Sequence, residues 1–457
     1  MNKKLMAVAV AGALAAPGIA MAQSSVTISG YFKVGLDNIR VTGATAGAVT
    51  TVPTRARSSE TRVTDHSSRI LFNVTEDLGG GLQTIAQLDV RFSPPDIATP
   101  VGLAGLTSGV GSGNTWVGLR SKSWGTLTMG RHDLHYGKAG DDTAAKAGSL
   151  IMIASGIFDV VGGPNASSAT APRGTTGRGM ANQTRTNNVV RYDTPQWGIF
   201  SGTVAYSTNP LQASGGQNMD GDLHLTNGTA VVGATNTGLT GTGPNAGTVI
   251  RRKGNGWNIN PKLTGSNWFA EWSHWRAKED TNKQSTVAQS AATLALANQA
   301  TQHDQKSDTV AGFYRWGGFK LGLAWNRSKT TDPASGYVSG NRRAWSIPMS
   351  YTWGSHSVAG HYTRVGDSSN VIVAGATTAT DTAVSGSDTG ARLWAVAYDY
   401  SLSKRTSVGL SYAQLRNRSA ATYSMFYNGS TAFGSYNSAS LAGEDSRLFA
   451  ASLRHNF

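Results

Sequence analysis

From Ser67 to Phe92 the chain reads SSRILFNVTEDLGGGLQTIAQLDVRF, two alternating runs joined at three consecutive glycines. Ile70, Phe72 and Val74 fall on one face, opposite Arg69, Leu71, Asn73 and Thr75. After the turn, Leu82, Thr84, Ala86, Leu88, Val90 and Phe92 share a face opposite Gln83, Ile85, Gln87, Asp89 and Arg91. Period-two alternation marks strands with two unlike faces. In a soluble sandwich the apolar face would look inward, yet here arginine, glutamine and aspartate stand where a core is wanted. A closed sheet with its apolar face outward resolves the conflict, because lipid offers no hydrogen-bond partners and a spanning sheet must close on itself.

The same alternation recurs along the chain. Sixteen strands are expected, at about 24–40, 66–77, 81–93, 114–122, 124–131, 185–196, 198–209 and 254–264, then 267–279, 308–316, 318–329, 342–353, 355–367, 391–402, 405–418 and 445–457. Short turns alternate with long polar segments, the long ones at about 41–65, 94–113, 132–184, 210–253, 280–307, 330–341, 368–390 and 419–444. An even strand number with this alternation predicts an all-β fold: a transmembrane antiparallel β-barrel of 16 strands with short periplasmic turns and long extracellular loops. Trp124, Trp197, Trp316 and Trp353 all sit at short turns, where an interfacial aromatic girdle would place them. Pro261 and Pro348 fall inside strands and cannot donate to a ladder, so a bulge or local break is expected at each.

The first residues set the compartment. Lys3 and Lys4, an apolar run from Leu5 to about Ile19, and the small-x-small Ala20-Met21-Ala22 predict a signal peptide, residues 1–22, cut before Gln23. The apolar run is shorter than the ~20 residues a spanning helix needs. The barrel domain is then 23–457. Losing two lysines takes the net charge from +14 to +12. Basic residues are scattered, with no run longer than Arg251-Arg252-Lys253, which argues against a nucleic-acid partner and for an anion-attracting cavity. There is no cysteine, so an exported chain must be stabilised without disulfides.

These stretches resemble a known family, the trimeric Gram-negative porins of the beta-proteobacterial type. The resemblance lies in AQSSVTISGYF, SSRILFNVTEDLGGGLQTIAQLD, WVGLRSKSWGTLTMGRHD, RTNNVVRYDTPQWGIFSG, LSKRT and the final ASLRHNF. Segments 210–253 and 281–306 match nothing in it. The resemblance implies a homotrimer giving passive diffusion of small hydrophilic solutes or anions. It also implies outer-membrane lipid and lipopolysaccharide as surroundings and the barrel-assembly machinery as a partner during biogenesis. Phe457, with His455 and Leu453 at alternate positions before it, is similar to the terminal signature that machinery reads.

The resemblance further implies that the third long segment, 132–184, folds into the lumen as a constriction. It carries Asp133, Asp141, Asp142 and Asp159 and an apolar middle, SLIMIASGIFDVV. Arg69 and Arg185 match basic eyelet positions of anion-preferring members, and Asp89 stands where the family usually has glutamate. One arm departs: Gly113 occupies a position that is basic in the family. Read from parity alone, Lys33, Arg69, Arg91 and Arg191 lie on the polar, lumen-side faces of their strands. An arginine on the lipid face would cost roughly 2–4 kcal/mol. These groups either set an anion preference or pair with Asp89 and loop carboxylates and brace the loop.

No HExxH or G-x-S-x-G arrangement appears. His132 and His135 flank Asp133, a pattern that suits a polar loop role better than a metal site, and His66 beside Ser67 and Ser68 remains a formal catalytic pair. No metal, no cofactor and no enzymatic activity are expected. The leading expectation is a weakly anion-preferring diffusion channel. The alternatives are a substrate-preferring channel for organic anions or sugars, with Tyr31 and Trp116 on lumen parity, and a non-conducting adhesin-like barrel.

Overall fold

The computed structural model describes residues 24–43, 57–66, 68–91, 111, 113–135, 186–208, 210, 223–226, 248–251, 255–278, 304–331, 338–368, 371–372, 383–384, 388–419, 421, 423 and 443–457. The first half of the wall is β1 (Ser25–Thr42), β2 (Arg57–Asp65), β3 (Arg69–Gly79), β4 (Leu82–Arg91), β5 (Thr115–Ser121), β6 (Gly125–His132), β7 (Thr186–Asp193) and β8 (Phe200–Ser207). A small pair, β9 (Leu223–Thr226) and β10 (Thr248–Arg251), lies between β8 and β11 (Asn255–Thr264). Next come β12 (Trp268–Lys278), β13 (Asp304–Trp316), β14 (Phe319–Thr331), β15 (Val338–Trp353) and β16 (His356–Val365). A second small pair is β17 (Val371–Ile372) and β18 (Ala383–Val384), and the wall ends with β19 (Ala391–Ser401), β20 (Thr406–Asn417) and β21 (Asp445–Asn456).

Every wall pairing is antiparallel, and β21 pairs with β1 from Tyr31↔Asn456 to Thr42↔Asp445, so the sheet closes. Closure removes the open edge that the first and last strands would otherwise present. Seventeen segments make the sheet, but β2 and β3 are halves of one crossing, leaving the sixteen expected. Their junction is a bulge that the sequence reading missed. Val34 faces Asp65 while Tyr31 faces Arg69, so four steps on one strand oppose three on the other. Lys33 anchors it: the His66 N–H donates to the Lys33 carbonyl at 2.8 Å, and the Lys33 N–H donates to Ser68 Oγ at 3.0 Å. The His66 ring lies over Gly35, where any Cβ would come within 2.4 Å of Cε1. The second crossing therefore starts at Arg57 rather than near residue 66.

The two strand prolines behave as local breaks on one side. Pro261 pairs with Gly202 of β8 but drops out of the ladder to β12. The Asn260 side-chain amide donates to the Trp272 carbonyl at 2.9 Å, taking the place of the proline's missing N–H. Asn260→Ala is expected to destabilise the barrel by about 1–2 kcal/mol by stripping that carbonyl of its donor; urea unfolding in lipid vesicles measures it. At Pro348 the β14–β15 pairing lapses opposite Gly322 and Leu323, and pairing to β16 continues.

Polarity is inverted as the opening stretch required. Outward positions carry the exposed apolar side chains, among them Leu323 (63%), Val26 (63%), Val117 and Leu410. Trp124, Trp197, Trp316 and Trp353 are exposed at the short-turn rim. A second outward tryptophan row, Trp257, Trp325 and Trp394, lies toward the long-segment end. Inward positions are mostly small or polar and buried: Ser273, Ser307, Thr309, Asn326, Ser346, Thr363, Ser411. One sector departs. Ile39, Val41, Leu393, Leu415 and Leu448 also point inward, and with Ala421 and Tyr423 of the last long segment they form a dry cluster. Part of the lumen near that end is therefore filled.

Candidate functional site

The lumen wall from β3 to β7 gathers the charges that parity had singled out. Asp89 on β4 is fully buried and is gripped by Arg91, with Nε–Oδ1 at 2.8 Å and Nη2 donating to Oδ2 at 2.9 Å. Arg69 on the neighbouring β3 approaches the same carboxylate at 3.8 Å. The Asn114 N–H donates to Asp89 Oδ2 at 3.2 Å, and the Gly113 N–H to the Asp89 carbonyl at 2.9 Å. Two guanidinium groups thus share one carboxylate.

Gly113 now has a physical reason. A Cβ built there would lie 1.9 Å from the Asp89 carboxyl carbon, so the space a basic side chain would take is filled by Asp89 itself. Gly113→Ala is expected to expel Asp89 from its clamp and to lower stability by about 1–3 kcal/mol, read by urea unfolding. A neutral result would show that Asp89 is not held there.

Asp133 joins the same cluster. Asn114 and Asp133 exchange two bonds, Asn114 Nδ2 to Asp133 Oδ2 at 2.7 Å and the Asp133 N–H to Asn114 Oδ1 at 2.9 Å. Arg191 on β7 is paired with Asp193, Nε–Oδ2 at 2.8 Å, and its Nη1 lies 3.5 Å from the Asp133 carbonyl. Lys33, in contrast, is completely buried at the bulge beside Ser68 and does not line open water.

Two features of the wall were not singled out from sequence. Arg454 lies with its guanidinium carbon 4.1 Å from the centroid of the Tyr31 ring, and Arg69 lies over the same ring at 5.1 Å. The two guanidinium groups thus share one buried aromatic, with Asp89 3.8 Å from Arg69 and Asp399 acting electrostatically on Arg454. The signal was available, since Arg454 has the opposite parity to Leu453, His455 and Phe457. The second feature is an acid lock: Arg62 forks onto Asp37, with Nη2–Oδ2 at 3.2 Å and Nε–Oδ1 at 3.2 Å.

The third long segment begins by turning inward. Leu134 and His135 are buried. His135 Nδ1 meets Ser273 Oγ at 2.9 Å and Nε2 meets Ser307 Oγ at 2.8 Å, on β12 and β13, four and five strands further round the wall. Leu134 packs with Val189, Ala205, Trp275 and Ala277. His132 stacks on Trp116 at 5.9 Å. His66 Nε2 contacts Thr64 Oγ1, while the Ser68 hydroxyl serves the Lys33 backbone. Asp141, Asp142, Asp159, Arg185 and residues 1–22 lie outside the described residues. At the far end, Phe457 exchanges backbone bonds with Gly30 and its ring sits 5.6 Å from Phe32. Leu453 and His455 share its outward parity, His455 Nδ1 lying 2.9 Å from Thr406 Oγ1.

The chain is similar to known proteins in sequence and in fold. It is 30% identical over 227 residues to a major outer membrane protein P.IB of Neisseria lactamica, covering 50% of this chain and 56% of that one. It is 28% identical over 211 residues to an outer membrane porin of Bordetella pertussis, covering 45% and 48%. The chain thus spans about half the length of the curated relatives it matches. In fold it is similar to the anion-selective porin from Comamonas acidovorans, with TM-score 0.57 at 20% identity over 95% of this chain and all of that one. OmpT of Vibrio cholerae in a trimer form gives TM-score 0.51 at 13% identity over 95% and 99%. The model of the Gram-negative porin family matches residues 7–420, and the chain belongs to that family of outer-membrane β-barrels.

Proposed function

We propose that this barrel is a water-filled channel through the outer membrane for passive diffusion of small hydrophilic solutes, with a preference for anions. The observation that carries the reading is the Arg69–Tyr31–Arg454 stack on the lumen wall. The nearby acids are engaged by arginines, Asp89 by Arg69 and Arg91, Asp37 by Arg62 and Asp193 by Arg191, and Asp399 acts on Arg454. Fixed positive charge that exceeds its counter-charge lowers the barrier for anions and raises it for cations. The neighbour from Comamonas acidovorans is described as anion-selective, which supports the same preference.

The inward turn at Leu134 and His135 supports a constriction built by segment 132–184, held to the β12–β13 wall by the His135 clamp. The trimer form of OmpT supports a homotrimer here. Membrane lipid is the partner of the outward belt, and the barrel-assembly machinery is the partner of the Leu453, His455, Phe457 face. The catalytic groups weighed from sequence, His66 with Ser68, point to structural bonds, which supports a channel over an enzyme.

Zero-current potential across planar bilayers in a KCl gradient tests the reading. The sign expected is that of chloride preference; a potassium-preferring potential rejects it. Trp116 stacked on His132 in the lumen favours one second reading, a binding site for a planar organic anion. Flux that saturates with solute concentration would support that reading over simple diffusion.

A further inference from the structure

The lumen face of β12 and β13 carries two phenyl rings to which passive diffusion gives no role. Most inward positions on these strands and their neighbours are small or polar, among them Asn258, Ser273, Ser307, Thr309 and Asn326. Phe269 on β12 and Phe313 on β13 keep the same inward parity, close to the short-turn rim. They are partners in register, and their rings stack with centroids 5.5 Å apart and planes 23° from parallel. Both are half-buried, so part of this platform stays open to the lumen. Apolar surface left in water is unfavourable, and a wetted wall has no folding reason to present it.

Cations gather at one end of the platform. Phe313 is matched on β14 by Gly322, which brings no side chain beside the ring. Two residues nearer the rim, Arg315 and Lys320 face each other across β13 and β14. Both lie over Phe313, Lys320 Nζ at 4.1 Å and the Arg315 guanidinium carbon at 5.4 Å from the ring centroid. Like charges directly opposite in a sheet repel, and the face of the ring draws both toward it. On the other flank, Lys262 of β11 pairs in register with Glu271, whose carboxylate accepts from Asn260 Nδ2 at 3.0 Å. Lys262, Arg315 and Lys320 thus stand here against the single acid Glu271. The patch lies about halfway round the wall from the Arg69–Tyr31–Arg454 stack and is separate from it.

We propose that this platform is a subsite for aryl carboxylates, solutes of the benzoate type, at the short-turn mouth of the channel. The ring of the solute lies on the Phe269–Phe313 pair, and its carboxylate meets Arg315 and Lys320. Each part contributes on its own account. Offset stacking of rings adds to affinity beyond the area it buries. A guanidinium takes a carboxylate through parallel, charge-assisted N–H donors. An aliphatic acid has only the second contact and an uncharged ring only the first, so a solute with both is preferred. The proposal rests on the lumen being open to water, as the channel reading requires.

The test uses the full barrel in planar bilayers, with conductance measured over rising concentrations of potassium benzoate, acetate and chloride. In the wild-type protein, benzoate current is expected to reach half-saturation at a concentration at least about threefold lower than acetate current. The variant F269L/F313L is expected to lose that difference while still conducting chloride. The variant R315Q/K320Q is expected to raise the half-saturating benzoate concentration by about threefold or more. Equal half-saturation by benzoate and acetate in the wild-type protein overturns the proposal without any variant. So does a benzoate preference that F269L/F313L keeps and W116L removes, which moves the site to the Trp116–His132 pair. A barrel that conducts chloride without preferring benzoate removes the subsite alone. One that conducts no chloride removes the channel reading and the subsite with it.

Discussion

Replacing both Arg69 and Arg454 by glutamate is expected to reverse ion preference, raising the cation-to-anion permeability ratio by about tenfold or more. The reasoning starts from charge and distance. Both guanidinium groups lie within 5.1 Å of the Tyr31 ring centre, so two charges act from one patch of wall. A unit charge about 5 Å from a passing ion is worth about 1–3 kcal/mol between the limits of water and a protein surface. Swapping two such charges in sign exceeds the 1.4 kcal/mol of a tenfold change even after salt screening. Glutamine at the same positions should give an intermediate value, which separates charge from shape. If the potential across a KCl gradient keeps its sign and size in the glutamate variant, the stack does not govern permeation.

Leu323→Arg is expected to destabilise the folded barrel by about 2–4 kcal/mol, while Asn73→Arg changes stability by less than about 0.5 kcal/mol. Leu323 is 63% exposed, midway along the outward face of β14, between the rim ring Phe319 and the basic residue Arg327. Exposure of that size on a soluble protein would make arginine harmless there. It is costly only where the surroundings are hydrocarbon. Asn73 lies on the opposite parity, paired with Thr27 and Gln87 on the lumen side, where arginine stays hydrated. Guanidinium titrations in vesicles measure both. Equal, small effects would place Leu323 in water.

The crossings were legible because a spanning strand leaves a period-two trace wherever lipid and water face it from opposite sides. The trace fails where the surroundings change. The bulge at His66–Ser68 shifts parity by one, so residues 57–65 lost their register with the strand below and read as loop. Ile39, Val41, Leu393, Leu415 and Leu448 sit on lumen parity yet are apolar, because Ala421 and Tyr423 of a distant segment cover them. No local pattern announces such a contact.

At the site, parity marks Arg69, Arg91, Asp89 and Arg191, the family resemblance marks Asp133, and the structure brings them to one stretch of wall. Lys33 has the same parity but is buried, since its neighbours at the bulge close over it. Parity names a face and says nothing about depth. Asp89 shows the same limit: its pairing with Arg91 two residues away is local, whereas its wedge against Gly113 joins two strands and was visible only as an unexplained missing base.

The inverted wall itself is open to a direct measurement, helped by the absence of native cysteine. Single cysteines at Asn73, Thr75 and Gln87 should react with a charged, water-borne thiol reagent in intact vesicles. Fluorophores carried by cysteines at Val310, Leu321 and Leu323 should be quenched by a quencher dissolved in the bilayer. Prompt reaction with the charged reagent at the second set, with lipid quenching at the first, would contradict a barrel wetted within.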